Sequence, residues 1–177
     1  MGRTRDSAYT AYLALGSNLG NPLENLRGGA KRLQSIGITP LVLSATWTTT
    51  PIDCPPDASP FANATLAITV LTSTTPRTLL AHCQAIERDL GRKPKKLRNE
   101  SRPLDIDIIT YADRVESSPE LVLPHPRARH RFFVLAPLNE IAPNLVLPGH
   151  EHSVKEYLAD CPEDTAAKRL DDFVWDL

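Results

Sequence analysis

The sequence predicts an α+β fold, a ferredoxin-like βαββαβ antiparallel sheet core with additional C-terminal helices and a short strand. Three observations carry this expectation. Four segments, Tyr9 to Leu15, Leu41 to Thr50, Phe61 to Leu71 and Arg102 to Tyr111, have the alternation or β-branched content of strands. Two segments between them repeat apolar residues every three or four positions, behind a cap and ahead of a glycine. Their order, with right-handed crossovers, builds four antiparallel strands with both helices on one face.

The first strand ends in Gly16-Ser17-Asn18-Leu19-Gly20. This turn lacks the Gly-Lys-Ser/Thr ending of a P-loop and the G-x-G-x-x-G of a dinucleotide fold, so it is read as a tight turn that lets backbone approach a ligand. Asn21 is placed to cap the first helix, with Pro22 in its first position and Glu24 three residues on. Leu23, Leu26, Ala30 and Leu33 form its apolar face, Gly28-Gly29 weakens it, and Gly37 stops it. In the second strand Leu41, Leu43, Ala45 and Trp47 share a face. Residues 51–60, rich in proline, form a long loop, and a loop of that length inside a compact domain points to function. The third strand alternates Ala64, Leu66, Ile68 and Val70 and should pair with the second. Thr75-Pro76 opens the second helix, which buries Leu79, Leu80, Cys83, Ile86 and Leu90 and leaves Gln84 and Glu87 facing solvent on residue type alone. Beyond Tyr111 lie a rigid turn at Leu123 to Arg127 and an apolar helix from Arg131 that should end before Pro137. A short strand at Leu145 to Leu147 and a last helix at Ser153 to Leu158 follow.

With 177 residues the chain fits one domain, residues 8–160, followed by an acidic tail, residues 161–177, that carries Trp175. Twenty basic against twenty-one acidic side chains leave a formal charge of −1, which argues against a general nucleic-acid binder. Cys54, Cys83 and Cys161 are odd in number and far apart, so neither a zinc site nor a disulfide framework is expected and a cytoplasmic protein is the simplest reading. No apolar run approaches the ~18–20 residues of a membrane span, and Met1 to Ser7 has no signal-peptide character.

The chemistry concentrates in Arg102-Pro103-Leu104-Asp105-Ile106-Asp107-Ile108. On a strand Asp105 and Asp107 share a face, with Cα atoms roughly 6–7 Å apart. Alone, such a pair reads as a solvated strand face. Arg92, Lys93, Lys95, Lys96, Arg98 and Arg102 crowd the segment before it. A basic loop feeding an acidic pair suits a polyphosphate carried with Mg²⁺, which takes one or two carboxylates and otherwise keeps water and phosphate oxygens.

Several segments, in order, resemble a known family. They are residues 14–20, Thr49-Thr50-Pro51, Phe61-x-Asn63, Gln84-x-x-Glu87-x-x-x-Gly91-Arg92, Arg102-x-x-Asp105-x-Asp107, Pro124-His125-Pro126-Arg127 and Arg131-x-Phe133-Val134-Leu135-x-Pro137-Leu138-x-Glu140. Together they are similar to the 6-hydroxymethyl-7,8-dihydropterin pyrophosphokinases of folate biosynthesis. The resemblance implies transfer of pyrophosphate from ATP to the pterin hydroxymethyl group, with release of AMP. It implies two Mg²⁺ ions on Asp105 and Asp107, and catalytic roles for these and for Arg92 and Arg102. Thr50, Pro51, Phe61, Asn63 and Phe133 become the pterin pocket. Gln84, Glu87, Arg92, Arg102, His125 and Arg131 become the ATP side. The partners implied are small molecules, ATP and a dihydropterin, with no nucleic acid and no membrane, and the chain is expected to act as a monomer. The residues suit these roles: phenyl faces stack on a flat heterocycle, and a carboxamide both donates and accepts.

One stretch departs from the family. Asn99-Glu100-Ser101-Arg102 stands where an aromatic Trp-Gly-Pro-Arg is usual, and Pro94 where a second arginine is common. This keeps open a related pterin-binding kinase with a different reduced-pterin acceptor or reduced activity. An RNA-binding module on the same core would need exposed aromatics on its central strands, where this chain has carboxylates. A nucleotidyl transferase or cyclase on that core would release pyrophosphate instead of AMP.

Overall fold

The computed structural model describes residues 8–94 and 100–177; Lys95, Lys96, Arg98 and Asn99 of the expected basic loop lie outside the described residues. Among the described residues the fold is mixed α/β with an antiparallel sheet and four α-helices. Strand β1 is Ala8–Ser17, followed by helix α1, Pro22–Ser35. Strands β2, Thr39–Leu43, and β3, Thr46–Thr49, come next, then the long β4, Phe61–Leu71. Helix α2 is Pro76–Asp89 and β5 is Asp105–Tyr111. A small hairpin of β6, Glu116–Ser117, and β7, Val122–Leu123, precedes a 3-10 turn at Ala128–His130. Helices α3, Phe132–Ile141, and α4, Val154–Asp160, and a last strand β8, Lys168–Leu170, complete the chain.

The sheet runs β5–β1–β4–β3–β8, with β2 also paired to β4, and every pairing is antiparallel. Ala11, Leu13 and Leu15 of β1 point to one face, where Leu26, Ala30 and Leu33 of α1 and Leu79, Cys83 and Ile86 of α2 cover them. Tyr12 and Ala14 point to the other face, against Val134, Leu135 and Leu138 of α3 and Val154 of α4. Strand β4 is therefore buried along nearly its whole length rather than on one side. A bulge in β5 leaves Ile109 between the pairs Leu13↔Ile108 and Tyr12↔Thr110. The extra residue shifts the alternation, so Ile108 and Tyr111 both reach the first core while Ile109 enters the second.

The caps follow the residues that dictate them. The Asn21 side chain accepts from Glu24 N–H and the Thr75 hydroxyl from Thr78 N–H. Ser153 and Glu156 form a reciprocal capping box on α4.

Four expectations need correction. The second strand is two strands, broken at Ser44-Ala45, because the buried Ser44 hydroxyl takes Thr65 N–H and Glu140 takes Ala45 N–H. Leu41 of β2 faces outward, 55% exposed. Helix α3 runs through Pro137, since burial of Val134, Leu135, Ala136 and Leu138 outweighs the one helical hydrogen bond a proline removes. Leu145 to Leu147 forms a single bridge, Val146↔Ser153, rather than a strand. The segment after Cys161 folds back: β8 extends the sheet beside β3, and Trp175 donates from its indole to Ser44 O at 2.9 Å. The three cysteines are unpaired. Among the described residues no helix is long and apolar enough to cross a membrane.

The two adjacent glycines of α1 differ in what surrounds them. A Cβ on Gly29 would lie 2.8 Å from Cδ2 of Leu104, itself fully buried, whereas one on Gly28 would meet its neighbours at 3.4 Å or more. Gly28→Ala should stabilise by about 0.5–1 kcal/mol through helix propensity. Gly29→Ala should destabilise by about 1 kcal/mol or more, overpacking outweighing that gain. Urea unfolding midpoints of the two variants check the opposite signs.

Candidate active site

Three strands lay the floor of a cleft. In the sheet register Asp105 of β5 stands opposite Gly16 of β1, and Gly16 stands opposite Asn63 of β4. Gly16 therefore separates a carboxylate from a carboxamide. A Cβ there would lie 3.0 Å from Asn63 Oδ1 and 3.7 Å from the Phe61 ring, so the missing side chain keeps the floor open. Asp107, two residues along β5, lies on the same face, while Ile106 and Ile108 enter the core behind. Arg102, Arg127, Arg131, Phe61, Phe133, Thr49, Thr50, Ile52 and Cys54 complete the walls.

The two carboxylates have different surroundings. Asp105 Oδ1 is 2.5 Å from Arg92 Nη1, and Oδ2 is 2.6 Å from Arg102 Nη2. Burial works against its charge, but Arg102 and Arg92 outweigh burial and hold the carboxyl below its usual range. Asp107 has a closest ionic neighbour in His125 Nε2 at 3.8 Å, and its side chain is 39% exposed against 18% for Asp105. Burial and repulsion from Asp105 push its carboxyl up, against the pull of His125, Arg131 and Arg102. Arg127 N–H donates to His125 Nδ1, which leaves Nε2 to carry the proton facing Asp107. Burial pulls the His125 value down, only partly opposed by Asp107.

Glu87 is not the solvent-facing residue its type suggests. It is buried at the end of α2, accepts Ile106 N–H at 2.7 Å and pairs with Arg92 at 2.5 Å. It thus ties α2 to β5 and fixes the arginine that holds Asp105. Burial pushes its carboxyl up to about 7, with the Ile106 amide and Arg92 pulling the other way. Arg92 divides its charge between Glu87 and Asp105, and despite burial the two carboxylates raise its value.

On the other side of Gly16, Asn63 donates from Nδ2 to Thr49 Oγ1 at 2.7 Å. The Arg102 guanidinium lies over the Phe61 ring at 5.2 Å, and that of Arg131 over Phe133 at the same distance. Arg102 Nε is buried with no hydrogen-bond partner among the described residues. Thr50 sits on the wall and donates from N–H and hydroxyl to Asp164 at 2.7 and 2.9 Å. Partial burial works against the Asp164 charge, but these bonds outweigh it and hold the carboxyl below its usual range. Pro51 is not part of the wall; Ile52 and Cys54 beyond it are.

Asn18, in the turn after β1, accepts Arg102 N–H at 2.9 Å and donates to Ser59 O and to Ser101 Oγ. It joins the proline-rich loop to the segment that carries Arg102. A second depression beside the cleft is lined by Leu80, Ile106, Ile108, Leu121 and Val122, with Asp107 and His125 at its edge. A third holds Arg92, Lys93, Glu100 and Arg102. Gln84 is exposed on α2 and lines none of the three. The structure therefore gathers Arg92, Arg102, Asp105, Asp107, His125, Arg131, Thr50, Phe61, Asn63 and Phe133, with Glu87 behind them. The reading from sequence missed Asn18, Arg127, Leu80, Leu121 and Asp164. Arg127 and Asn18 stood inside quoted motifs; Asp164 gave no signal.

No group of three or more His, Cys, Asp or Glu side chains among the described residues could hold a metal ion unaided. Two carboxylates on one face, open to oxygens from a ligand and water, match how Mg²⁺ is bound beside phosphates.

The family model described as 7,8-dihydro-6-hydroxymethylpterin-pyrophosphokinase (HPPK) matches residues 12–143. The 2-amino-4-hydroxy-6-hydroxymethyldihydropteridine pyrophosphokinase of Methylorubrum extorquens is 43% identical over 150 residues, 84% of this chain and 91% of that protein. The Haemophilus influenzae protein of the same name is 37% identical over 142 residues, 80% of this chain and 87% of its own. Among solved structures, a Plasmodium falciparum HPPK-DHPS variant superposes with a TM-score of 0.70 at 14% identity, covering 89% of this chain and 45% of that one. This likeness is one of fold, and the chain spans less than half of that structure.

Glu87 gives a signed pH test. An ordinary glutamate in the unfolded chain titrates at 4.5, and Glu87 in the fold at about 7. Folding takes up a proton in that window, so its contribution to stability is full below 4.5 and is lost as pH rises through about 7. Glu87→Gln keeps an acceptor for Ile106 N–H without the charge. Relative to the parent it should gain on the order of 1–3 kcal/mol from pH 5 to pH 8, read from denaturant midpoints at both values.

Proposed function

The chain belongs to the 7,8-dihydro-6-hydroxymethylpterin-pyrophosphokinase family, and from that premise we infer that it is a pyrophosphokinase of folate biosynthesis whose chemistry takes place in the cleft of Asp105, Gly16 and Asn63. Pyrophosphate passes from ATP to the hydroxymethyl group of 6-hydroxymethyl-7,8-dihydropterin. The hydroxymethyl oxygen attacks the β-phosphorus, the bond from that phosphorus to the α-bridging oxygen breaks, AMP leaves, and the hydroxyl proton is released. The observation that carries the site assignment is the division of one cleft into an ionic half, with Asp105, Asp107, Arg102 and Arg131, and an aromatic-amide half, with Phe61, Asn63 and Phe133. Transfer between two substrates needs both halves within one in-line path.

The core is read as ferredoxin-like, with β2 and β3 counted as one broken strand. The strand order β5–β1–β4–β3 supports this. Asp105 and Asp107 are the carboxylates that would hold Mg²⁺, two ions in this reading. Bound there, the metal supplies neutralisation of the phosphate oxygens. Asp107 is poised for it by position, since no guanidinium lies within ion-pair distance among the described residues. The buried Arg102 Nε has no acceptor among the described residues, and a phosphate oxygen would meet that need. Arg131 and Arg127 add positive charge along the phosphate path. The apolar depression of Leu80, Ile108 and Leu121, with His125 at its edge, suits the adenine ring. Glu87 acts by holding Arg92 rather than by touching ATP.

On the acceptor side Phe61 and Phe133 offer ring faces, and the part of the Asn63 amide not used by Thr49 offers polar contact to the pterin edge.

A product assay tests this. With ATP, Mg²⁺ and the dihydropterin alcohol the parent should form AMP and the pterin diphosphate in equal amounts. Asp107→Ala should reduce turnover by at least about a hundredfold while leaving the fold intact, the size expected when a charge-stabilising group is lost. Near-parental turnover in that variant would remove Asp107 from the site, and release of pyrophosphate instead of AMP would overturn the reaction.

A further inference from the structure

We propose that Asp164, on the C-terminal segment, is a positioning residue for the acceptor: it fixes Thr50 and through it the acceptor wall of the cleft. The proposal rests on the reading above that this wall holds the pterin.

Strand β3 stops at Thr49, whose partner is Phe61, and its pairing with β8 stops at Thr48↔Lys168. Thr50 therefore lies beyond both ladders, at the entrance to the proline-rich loop. A strand end in that position frays unless something takes its free donor. Asp164 takes both donors of Thr50 with one carboxylate, N–H at 2.7 Å and hydroxyl at 2.9 Å. Hydrogen bonds to a charged acceptor are the stronger kind. The carboxylate is itself held: Ala166 N–H donates to Oδ1 at 3.1 Å, and Ala167 N–H to the Asp164 carbonyl at 2.9 Å.

The effect is relayed one residue back. Thr49, adjoining Thr50, accepts the Asn63 amide at 2.7 Å. If Thr50 moves, Thr49 moves with it and Asn63 loses its orientation. The nucleotide half is insulated from this, because Asp105 and Asp107 stand on β5, separated from β3 by β1 and β4. The tail has other anchors. Trp175 donates to Ser44 O, Arg27 donates to Val174 O and stacks on Phe173 at 4.8 Å, and β8 pairs with β3. Removing the Asp164 carboxylate leaves those anchors in place, so local positioning can be separated from folding.

The test is steady-state kinetics on the full chain with each substrate varied in turn. Asp164→Ala should raise the KM for the dihydropterin about tenfold, through loss of the two charge-assisted hydrogen bonds that hold Thr50, with the KM for ATP and the thermal midpoint close to the parent's. Asp164→Asn, which keeps one acceptor oxygen, should fall between. Thr50→Val should raise the pterin KM less than Asp164→Ala, and the double variant should add nothing to Asp164→Ala. An unchanged pterin KM in a folded Asp164→Ala variant, or an ATP KM that rises in step, overturns the proposal. Should that variant not fold, unchanged pterin KM in both Asp164→Asn and Thr50→Val overturns it. If Asn63→Ala weakens pterin binding while Asp164→Ala does not, the pocket stands and the positioning role falls. If the parent binds no pterin, the reading of the pocket fails and the proposal with it.

Discussion

The carboxylate of Asp105 lies between two guanidinium groups, and the rest of the site depends on that arrangement. Two aspartates on one strand face, drawn out of bulk water, repel each other. The fold resolves the repulsion unequally. Arg92 and Arg102 each take one oxygen of Asp105, while among the described residues the ionic partner of Asp107 is a histidine at 3.8 Å. Asp105 has its charge matched by two guanidinium groups, while Asp107 faces the cleft with less positive charge beside it. Glu87 makes the division possible. By accepting Ile106 N–H and holding Arg92, it locks the end of α2 to the edge strand that carries both aspartates.

Covering both faces of the sheet turns that edge into a cleft. Helices α1 and α2 pack behind Ile106 and Ile108, leaving the aspartate face to the other layer. The bulge at Ile109 lets β5 contribute to both cores. Helix α3 crosses the second face, and Arg131 and Phe133 at its start line the same cleft as Arg102, Phe61 and Gly16. Each arginine lies over an aromatic ring, so the ionic and aromatic halves share side chains.

Much of this was legible in the sequence because it is local. The Asp105-Ile106-Asp107-Ile108 alternation, the Asn21 and Thr75 caps and the limits of β4 follow from neighbouring residues alone. The failures have the opposite origin. Glu87 looks solvent-facing by residue type, and only the approach of β5, far along the chain, makes it a buried ligand of Arg92. Pro137 should end a helix, and burial of Val134, Leu135, Ala136 and Leu138 around it overrides that preference. The break at Ser44-Ala45 depends on Glu140 of α3. Asp164 stands more than a hundred residues from Thr50, in an acidic tail whose sequence carries no pattern that assigns it a role. Gln84, placed with the ATP side by resemblance, is exposed and lines no part of the cleft.

The central proposal is that Asp107, with no guanidinium within ion-pair distance among the described residues, makes nucleotide binding in the cleft depend on a divalent cation. The most direct measurement is calorimetric binding of α,β-methylene-ATP, which cannot be cleaved at the reacting bond, with and without Mg²⁺, to the parent and to Asp107→Asn. The account predicts that Mg²⁺ tightens binding to the parent and that Asp107→Asn loses most of that gain while its metal-free affinity is unchanged or improved. Equal enhancement by Mg²⁺ in both proteins would contradict it.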